Sequence, residues 1–128
     1  ADFNMCVLLE PNNEKFLTER GYARRQVELY EGALEDFSKL IEINPKNDVA
    51  WLERAVTKAQ MGKYQDAIDD LNKALTVNPT SINLSYHYYH RGLCKISLKD
   101  KIDGCKDLNK SCELGLTVAC NDIKEYCR

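Results

Sequence analysis

The chain has 128 residues, of which 44% are hydrophobic and 30% are charged, and its formal net charge is −2. This length is typical of a single domain. Because there is no basic excess, we expect neither nucleic acid nor an anionic membrane surface as a partner. No apolar run approaches the ~18–20 residues of a membrane span, and residues 1–10 are too short and too polar for a signal peptide.

Three prolines, Pro11, Pro45 and Pro79, are the only ones in the chain, and they are evenly spaced. A proline fixes its own φ and disfavours the helical conformation of the residue before it, so it ends or excludes a helix. The interval between them, about 34 residues, is the period of a helix–turn–helix repeat. The spacing therefore predicts an all-α stack of antiparallel helix pairs.

The first segment, residues 1–13, is predicted to be the second helix of a truncated repeat. Its Asp2-Phe3 pair has three counterparts at the same phase, which are Asp36-Phe37, Asp70-Leu71 and Asp107-Leu108. The first copy has no amphipathic segment upstream of it. We expect its open flank to dock the absent helix or a neighbouring molecule.

Two complete repeats, 14–47 and 48–81, follow, with apolar residues at helical spacing and turns expected at Glu31-Gly32 and Met61-Gly62. A variant repeat covers 82–116. Its three extra residues are expected to lengthen its first helix by about a turn, with Ser81 as the N-cap. Gly115 should end the repeat, and 117–128 should form a capping helix. The expected total is seven helices.

These motifs identify a resemblance to the tetratricopeptide repeats. The family pattern is matched by Gly21, Ala33, Phe37 and Pro45 in one copy and by Trp51, Ala67, Leu71 and Pro79 in the next. The resemblance implies a right-handed superhelical stack that binds proteins or peptides. The variant copy has Gly104 for the alanine and Leu116 for the proline. Its cysteines, in Cys112-Glu113-Leu114-Gly115 and Ala119-Cys120, make it similar to the Sel1-like, cysteine-bearing relatives.

An arginine stands in each repeat where the family pattern has leucine, and each precedes an aspartate at the same sequence interval. The pairs are Arg20 with Asp36, Arg54 with Asp70, and Arg91 with Asp107. In an antiparallel helix pair this constant offset brings the two side chains together. We interpret the pairs as salt bridges that fix helix register, and the alternative is a charge ladder that binds a ligand.

A stripe on the first helix of each repeat is the predicted binding site. Its members are spaced i, i+4, i+7 and are Thr18, Tyr22, Arg25, Leu52, Val56, Ala59, Tyr89, Leu93 and Ile96. The resemblance places this stripe on the concave groove where peptides or helices lie. The alternative is that these residues pack between neighbouring first helices. Receptors of chaperone tails in this family grip a carboxylate with lysine and asparagine on the stripe, so Thr18, Tyr22, Leu52 and Val56 make that ligand class unexpected.

Four of the six cysteines are symmetric about Leu116, so a helical hairpin folded there would place Cys112 opposite Cys120 and Cys105 opposite Cys127. Two disulfides can then form, and the spacing from Cys112 to Cys120 resembles the bridge of the cysteine-bearing relatives. The alternative is four small buried hydrophobes in a reducing compartment. Bridged cysteines would indicate a periplasmic or secreted protein and reduced ones a cytoplasmic protein. A zinc site is disfavoured because no Cys-x2-Cys pair is present.

His87, His90 and Cys94 are spaced i, i+3, i+7 on one helix, a spacing that can present metal ligands, but we interpret them as a polar, semi-buried face. No paired nucleophile and base, phosphate loop or cofactor motif is found, so we expect neither an enzyme nor a cofactor. Two functions remain. One is a protein-interaction module with a largely apolar groove, and the other is a structural or self-associating repeat segment of a larger protein.

Overall fold

The structure is a computed structural model that describes residues 2–128. Within that range the chain forms eight helices and no strand. The helices are α1 (Phe3–Leu9), α2 (Glu14–Gln26), α3 (Tyr30–Ile43), α4 (Asp48–Gln60), α5 (Tyr64–Val77), α6 (Leu84–Ser97), α7 (Lys101–Glu113) and α8 (Thr117–Tyr126). They form a solenoid of antiparallel pairs, which confirms the predicted fold class. The predicted count of seven is one short.

The first helices of the two regular repeats, α2 and α4, begin at asparagine side chains that cap them. Asn13 and Asn47 each lie two residues after a proline, and their side chains accept hydrogen bonds from the backbone N–H groups of Phe16 (3.1 Å) and Ala50 (3.3 Å). Each cap satisfies one of the N–H groups that a helix N-terminus leaves unpaired. The repeated Pro-x-Asn segment therefore starts α2 and α4 at the same phase.

The turn inside each helix pair contains one residue in the left-handed region, at the same repeat position each time. These residues are Glu28 (φ 63°), Gly62 (φ 82°) and Lys99 (φ 70°). The turn expected at Met61-Gly62 is confirmed. The one expected at Glu31-Gly32 is wrong, because Gly32 lies in the first turn of α3 and the chain reverses at 27–29 instead.

The three extra residues of the variant repeat lie in the linker 78–83 and do not lengthen the next helix. The resulting α6 has 14 residues against 13 in α4. The expected N-cap is also wrong, because Asn83 occupies that position. Ser81 instead accepts a hydrogen bond from the Asn83 N–H (3.0 Å) and donates one to Asp48 (2.5 Å). The insertion therefore serves a tertiary contact with α4.

Small residues let the paired helices approach closely. A Cβ built on Gly21 would lie 2.6 Å from the Phe37 ring, and one built on Gly92 would lie 2.8 Å from the carbonyl oxygen of Gly104. Real side chains do not tolerate such distances, so glycine is required for the α2–α3 and α6–α7 crossings. Around these crossings the core buries Phe37, Leu71 and Leu108 completely.

The predicted arginine–aspartate pairs are confirmed in all three repeats. Their N–O distances are 2.6 Å for Arg20–Asp36, 2.8 Å for Arg54–Asp70 and 2.8 Å for Arg91–Asp107. Each aspartate also meets a second cation from the next turn of the arginine's helix, contributed by Arg24, Lys58 and Lys95 respectively. The aspartates are buried, so these contacts fix the register of each helix pair.

The C-terminal hairpin reverses at Gly115, whose φ of 101° is in the left-handed region. As predicted, a helix follows, and α8 runs from Thr117 to Tyr126. The hairpin brings Cys105 to disulfide distance of Cys127 and Cys112 to disulfide distance of Cys120, with Cα–Cα distances of 5.9 and 4.8 Å. Within the described residues, Cys6 and Cys94 are free thiols.

Candidate functional site

The first helices of the three repeats, α2, α4 and α6, lie side by side and expose one common face. Arg25 of α2 reaches α4, where its Nη1 lies 2.7 Å from Glu53 Oε2 and donates to the Glu53 carbonyl (3.2 Å). On the other side, α4 contacts α6 directly. This face is where the sequence places the binding stripe.

A cleft of about 290 Å³ lies between α4 and α6 on this face. Val56 and Ala59 line it from α4 and Leu93 from α6, so the structure brings together three of the nine predicted site residues. The other lining residues are Gln60, Tyr64, His90, Cys94 and Ser97. The cleft therefore has apolar walls and a few polar groups, a composition found in small ligand sites.

Two titratable groups at the cleft, His90 and Cys94, are both neutral near pH 7. Burial, together with the positive charge of Arg25 and the nearby His87, lowers the pKa of His90 to about 4. Burial raises the pKa of the Cys94 thiol to about 11. The imidazole can accept or donate a hydrogen bond, but it supplies no positive charge.

At the α2–α4 end of the face, Arg25 is held by a cluster of its own. Its guanidinium lies 5.5 Å from the centre of the Tyr22 ring and 5.7 Å from that of Phe37, as in cation–π contacts. Burial, with the negative charge of Glu53, raises the pKa of Tyr22. Because Glu53 already pairs with Arg25, neither of these two charges is left uncompensated for a ligand.

At the α6–α8 end, the hydroxyl of Tyr89 donates a 2.6 Å hydrogen bond to Asp122 of α8. Burial raises the pKa of this phenol well above its usual range, and the Asp122 carboxylate adds to the effect. Tyr89 is therefore tied to the C-terminal helix.

The remaining stripe residues take other positions. Thr18 is half-buried and donates to the Glu14 carbonyl (2.8 Å). Leu52 is 6% exposed and belongs to the core. Ile96 faces α7, since a Cβ on Gly104 would lie 2.6 Å from its Cγ1. Most of the side-chain surface of Leu52 and Ile96 is therefore buried between helices and is not open to a ligand.

The predicted site leaves out five residues that line the cleft, Gln60, Tyr64, His90, Cys94 and Ser97. The sequence indicates His90 and Cys94 only as part of a polar or semi-buried face. Gln60 and Ser97 follow Val56 and Leu93 by four positions, so the stripe extended by one more helical turn would have included them. Tyr64 is the first residue of α5 and reaches the cleft from the second helix of its pair. No helical periodicity within α4 or α6 could have indicated it.

His87 lies outside the cleft and is fully buried, so the expectation of a semi-buried face is wrong for it. Its Nε2 lies 2.8 Å from Asp48 Oδ2, the same oxygen that accepts from Ser81. Burial by itself raises the pKa of Asp48, but the hydrogen bonds from Ser81 and His87 outweigh it and hold that pKa below its ordinary value. Burial also lowers the pKa of His87, despite the attraction of Asp48. Among the described residues, Nδ1 of His87 has no hydrogen-bond partner, which favours a neutral ring that donates from Nε2.

Residues 2–128 contain no group of three or more histidine, cysteine, aspartate or glutamate side chains placed to hold a metal ion. In the same range no helix is both long and apolar enough to cross a membrane.

Two family models, both described as tetratricopeptide repeat, match residues 15–47 and 49–81. Together the two matches span just over half of the chain. The chain belongs to the tetratricopeptide repeat family. Cysteine pairs are present in the C-terminal hairpin, while the likeness of that hairpin to Sel1-like repeats stays a prediction. A search of curated protein sequences gives no match.

Among solved structures, the chain is similar to the first tetratricopeptide repeat domain of human RPAP3, with a TM-score of 0.83 and 24% identity over 91% of each chain. It is also similar to the first such domain of Spaghetti (RPAP3) bound to the HSP90 peptide SRMEEVD, with a TM-score of 0.80, 23% identity and coverage of 89% and 90%. MamA aligns with a TM-score of 0.78 and 20% identity, over 88% of this chain and 64% of MamA. These likenesses establish a shared fold.

Proposed function

We propose that this protein is an interaction module that holds an uncharged, apolar side chain of a partner peptide or helix in the α4–α6 cleft. The observation that carries the proposal is the cleft itself, with Val56, Ala59 and Leu93 on its walls. Its volume of about 290 Å³ is at the small end for ligand pockets. One large aliphatic or aromatic side chain would occupy part of it as the anchor, and adjoining residues of the partner would occupy the rest and lie along the face.

The charges around the cleft support an uncharged anchor. Arg25 is paired with Glu53, and Tyr89 with Asp122, on either side of the cleft. His90 is neutral at pH 7 because its pKa is about 4. A buried carboxylate without a cationic partner would carry a large desolvation cost. A buried apolar side chain contributes about 1.5–3 kcal/mol.

For this reason we expect the peptide SRMEEVD, which the Spaghetti domain binds, to be a poor ligand here. The stripe carries Thr18, Tyr22, Leu52 and Val56 where chaperone-tail receptors resembling this chain carry lysine and asparagine. The expected result in calorimetry is no measurable binding of SRMEEVD. Binding with a loss of affinity on Val56→Asp would contradict the uncharged-anchor proposal.

The direct test selects peptides from a random display library on the wild-type protein and measures their affinity for variants. Ala59→Leu narrows the cleft with a larger apolar side chain and buries no new charge, so it should weaken binding at least tenfold, about 1.4 kcal/mol. Lys73→Leu, an equally apolar change on the exposed side of α5, is the matched control and should leave affinity unchanged. Equal affinities for both variants would place the ligand elsewhere and reject the proposal.

A second candidate function, self-association, is supported by the outer face of α1. Met5 is 51% exposed and Leu8 is 74% exposed, although the equivalent positions of the later repeats are polar or charged. Those positions are Lys39, Glu42, Lys73, Thr76, Lys110 and Glu113. We propose that a second copy of the chain covers this apolar face.

Sedimentation velocity over a range of concentrations tests this second candidate. The wild type should increase in mass with concentration, while Leu8→Glu should remain monomeric because it places a charge on the contact. Glu42→Gln changes the equivalent position of α3 and should behave as the wild type. A wild type that stays monomeric at every concentration would reject self-association and leave the cleft proposal untouched.

A further inference from the structure

The C-terminal helix α8 differs from the other long helices in how it is attached. Of its ten residues only Ala119 is buried, while Val118 and Tyr126 remain 44% and 40% exposed. Its N-cap, Leu116, makes no side-chain capping hydrogen bond within the described chain. A helix this short is marginal on its own, and here apolar burial is limited to the small side chain of Ala119 and part of Ile123.

Two covalent links hold α8 to α7 instead. Cys120, in the first turn of α8, pairs with Cys112 near the end of α7, and Cys127, the C-cap of α8, pairs with Cys105 near the start of α7. Both ends of α8 are thereby attached. Non-covalent additions are the hydrogen bond from Tyr89 to Asp122, one from Lys101 Nζ to the Arg128 carbonyl oxygen (2.5 Å), and the packing of Ala119 and the half-buried Ile123.

In contrast, α7 is attached by its own core contacts and does not depend on α8. Its buried residues face α6. Asp107 pairs with Arg91, Ser111 donates to the Ser85 carbonyl (2.7 Å), and Leu108 packs against Gly92. Removing α8 would leave all of these contacts in place.

We propose that α8 is a redox-releasable cap on the end of the repeat array. A dithiol reduces each disulfide, donating two electrons and two protons and becoming a disulfide itself. Reduction yields four protein thiols, and α8 then undocks from α7 and from Tyr89. Since Tyr89 lies at the α6–α8 end of the candidate binding face, release of α8 opens that end. Thiol–disulfide exchange with an oxidised small-molecule disulfide, which accepts two electrons and two protons from each cysteine pair and becomes a dithiol, re-forms both bonds and restores the cap.

Hydrogen–deuterium exchange on the full chain, with and without dithiothreitol, tests the proposal. On reduction, amides of 117–126 should lose roughly 100-fold or more of their protection, while those of 84–97 and 101–113 should change by less than about threefold. The variant that combines Cys105→Ser, Cys112→Ser, Cys120→Ser and Cys127→Ser should resemble the reduced wild type and should not respond to dithiothreitol. That control separates disulfide reduction from any other effect of the reagent.

Two results would overturn the proposal. If α8 keeps its protection after complete reduction, verified by mass after alkylation, non-covalent contacts hold it and it is not releasable. If α7 loses protection together with α8, the disulfides maintain the whole hairpin and α8 is not a separate cap. The measurement on reduced wild type remains decisive even if the four-serine variant does not fold.

Discussion

At the scale of single residues, three buried aspartates both affect the stability of the fold and fix the register between paired helices. Asp36, Asp70 and Asp107 are nearly inaccessible to solvent. Each nevertheless meets one arginine and, one helical turn further along the preceding helix, a second cation. A buried carboxylate without partners would be strongly unfavourable. The pairs therefore act mainly by penalising any register that separates them.

Arg54→Ala should lower the free energy of unfolding by about 3 kcal/mol, the lower end of the range for breaking a buried pair. The cost stays at that end because Lys58 remains 2.9 Å from Asp70. Urea titration measures it. Lys73→Ala, an exposed lysine on the same helix as Asp70, is the control and should change stability by less than about 0.5 kcal/mol. Equal, small shifts in the two midpoints would show that the pair does not stabilise the fold.

His90 makes stability depend on pH. Its pKa in the folded protein is about 4, below the ordinary value near 6.5, so the unfolded chain binds a proton between these two values and the folded chain does not. The free energy of unfolding therefore keeps its full value above pH 6.5, where His90 is neutral in both states. It decreases as the pH falls toward 4. We expect a loss of about 1–2 kcal/mol between pH 6.5 and 5, in part from His87, whose pKa is also lowered.

The check is to compare urea unfolding of the wild type and His90→Gln at several pH values. The variant has no imidazole at that position, so its stability should fall less steeply over this interval. Parallel curves would mean that His90 titrates normally in the folded protein. Restricting the comparison to pH values above 5 limits the contribution of carboxylates, which titrate lower.

At the scale of helices and turns, three equivalent positions require the left-handed conformation, but only one of them is glycine. A non-glycine residue in this conformation costs roughly 1–2 kcal/mol. Glu28 and Lys99 therefore carry strain that Gly62 avoids. The packing of the two helices of each pair therefore sets the backbone conformation of the turn, whichever residue occupies it.

Gly62→Ala should destabilise the protein by about 1 kcal/mol, and the cause would be the backbone alone, because a Cβ at this site meets no described atom within 4 Å. Glu28→Gly should be neutral or stabilising by up to about 1 kcal/mol, since relief of strain offsets the entropy gained by the unfolded chain. Thermal melts of the two variants provide the measurement. A stabilising Gly62→Ala would show that this turn does not hold its left-handed conformation in solution.

At the scale of the whole molecule, helices contact mainly their neighbours in the stack. Stability in such an array is the sum of local and nearest-neighbour contributions. The extended linker 78–83 interrupts the regular repeat, and the contacts of Asp48 with Ser81 and His87 bridge it. The C-terminal part of the array is therefore coupled to the rest partly through this buried polar network.

Leu108→Ala should cost about 2–5 kcal/mol because it leaves a cavity beside Gly92. Hydrogen exchange should show the loss of protection concentrated in α6 and α7, with α2 and α3 less affected, since few contacts transmit the change that far. Phe37→Ala is the mirror control and should produce the opposite distribution. Uniform loss of protection in both variants would mean that the array unfolds as one cooperative unit.

The sequence alone determined the repeat, because proline spacing, apolar periodicity and the arginine–aspartate offset are all local and all indicate the same helix pair. Helical phase also placed Val56 and Ala59 on one face of α4, and the repeat gave Leu93 of α6 the position equivalent to Val56, but the meeting of the two helices at one cleft is a tertiary contact. The tertiary structure decided what each side chain on that face does. Leu52 and Ile96 belong to the same predicted stripe as the cleft residues, but they pack between helices. The reason is that the distance between adjacent helices determines how much of each side chain stays exposed. The linker contacts of Ser81 and His87 with Asp48 join residues far apart in the chain, and no periodicity within a helix encodes such a contact.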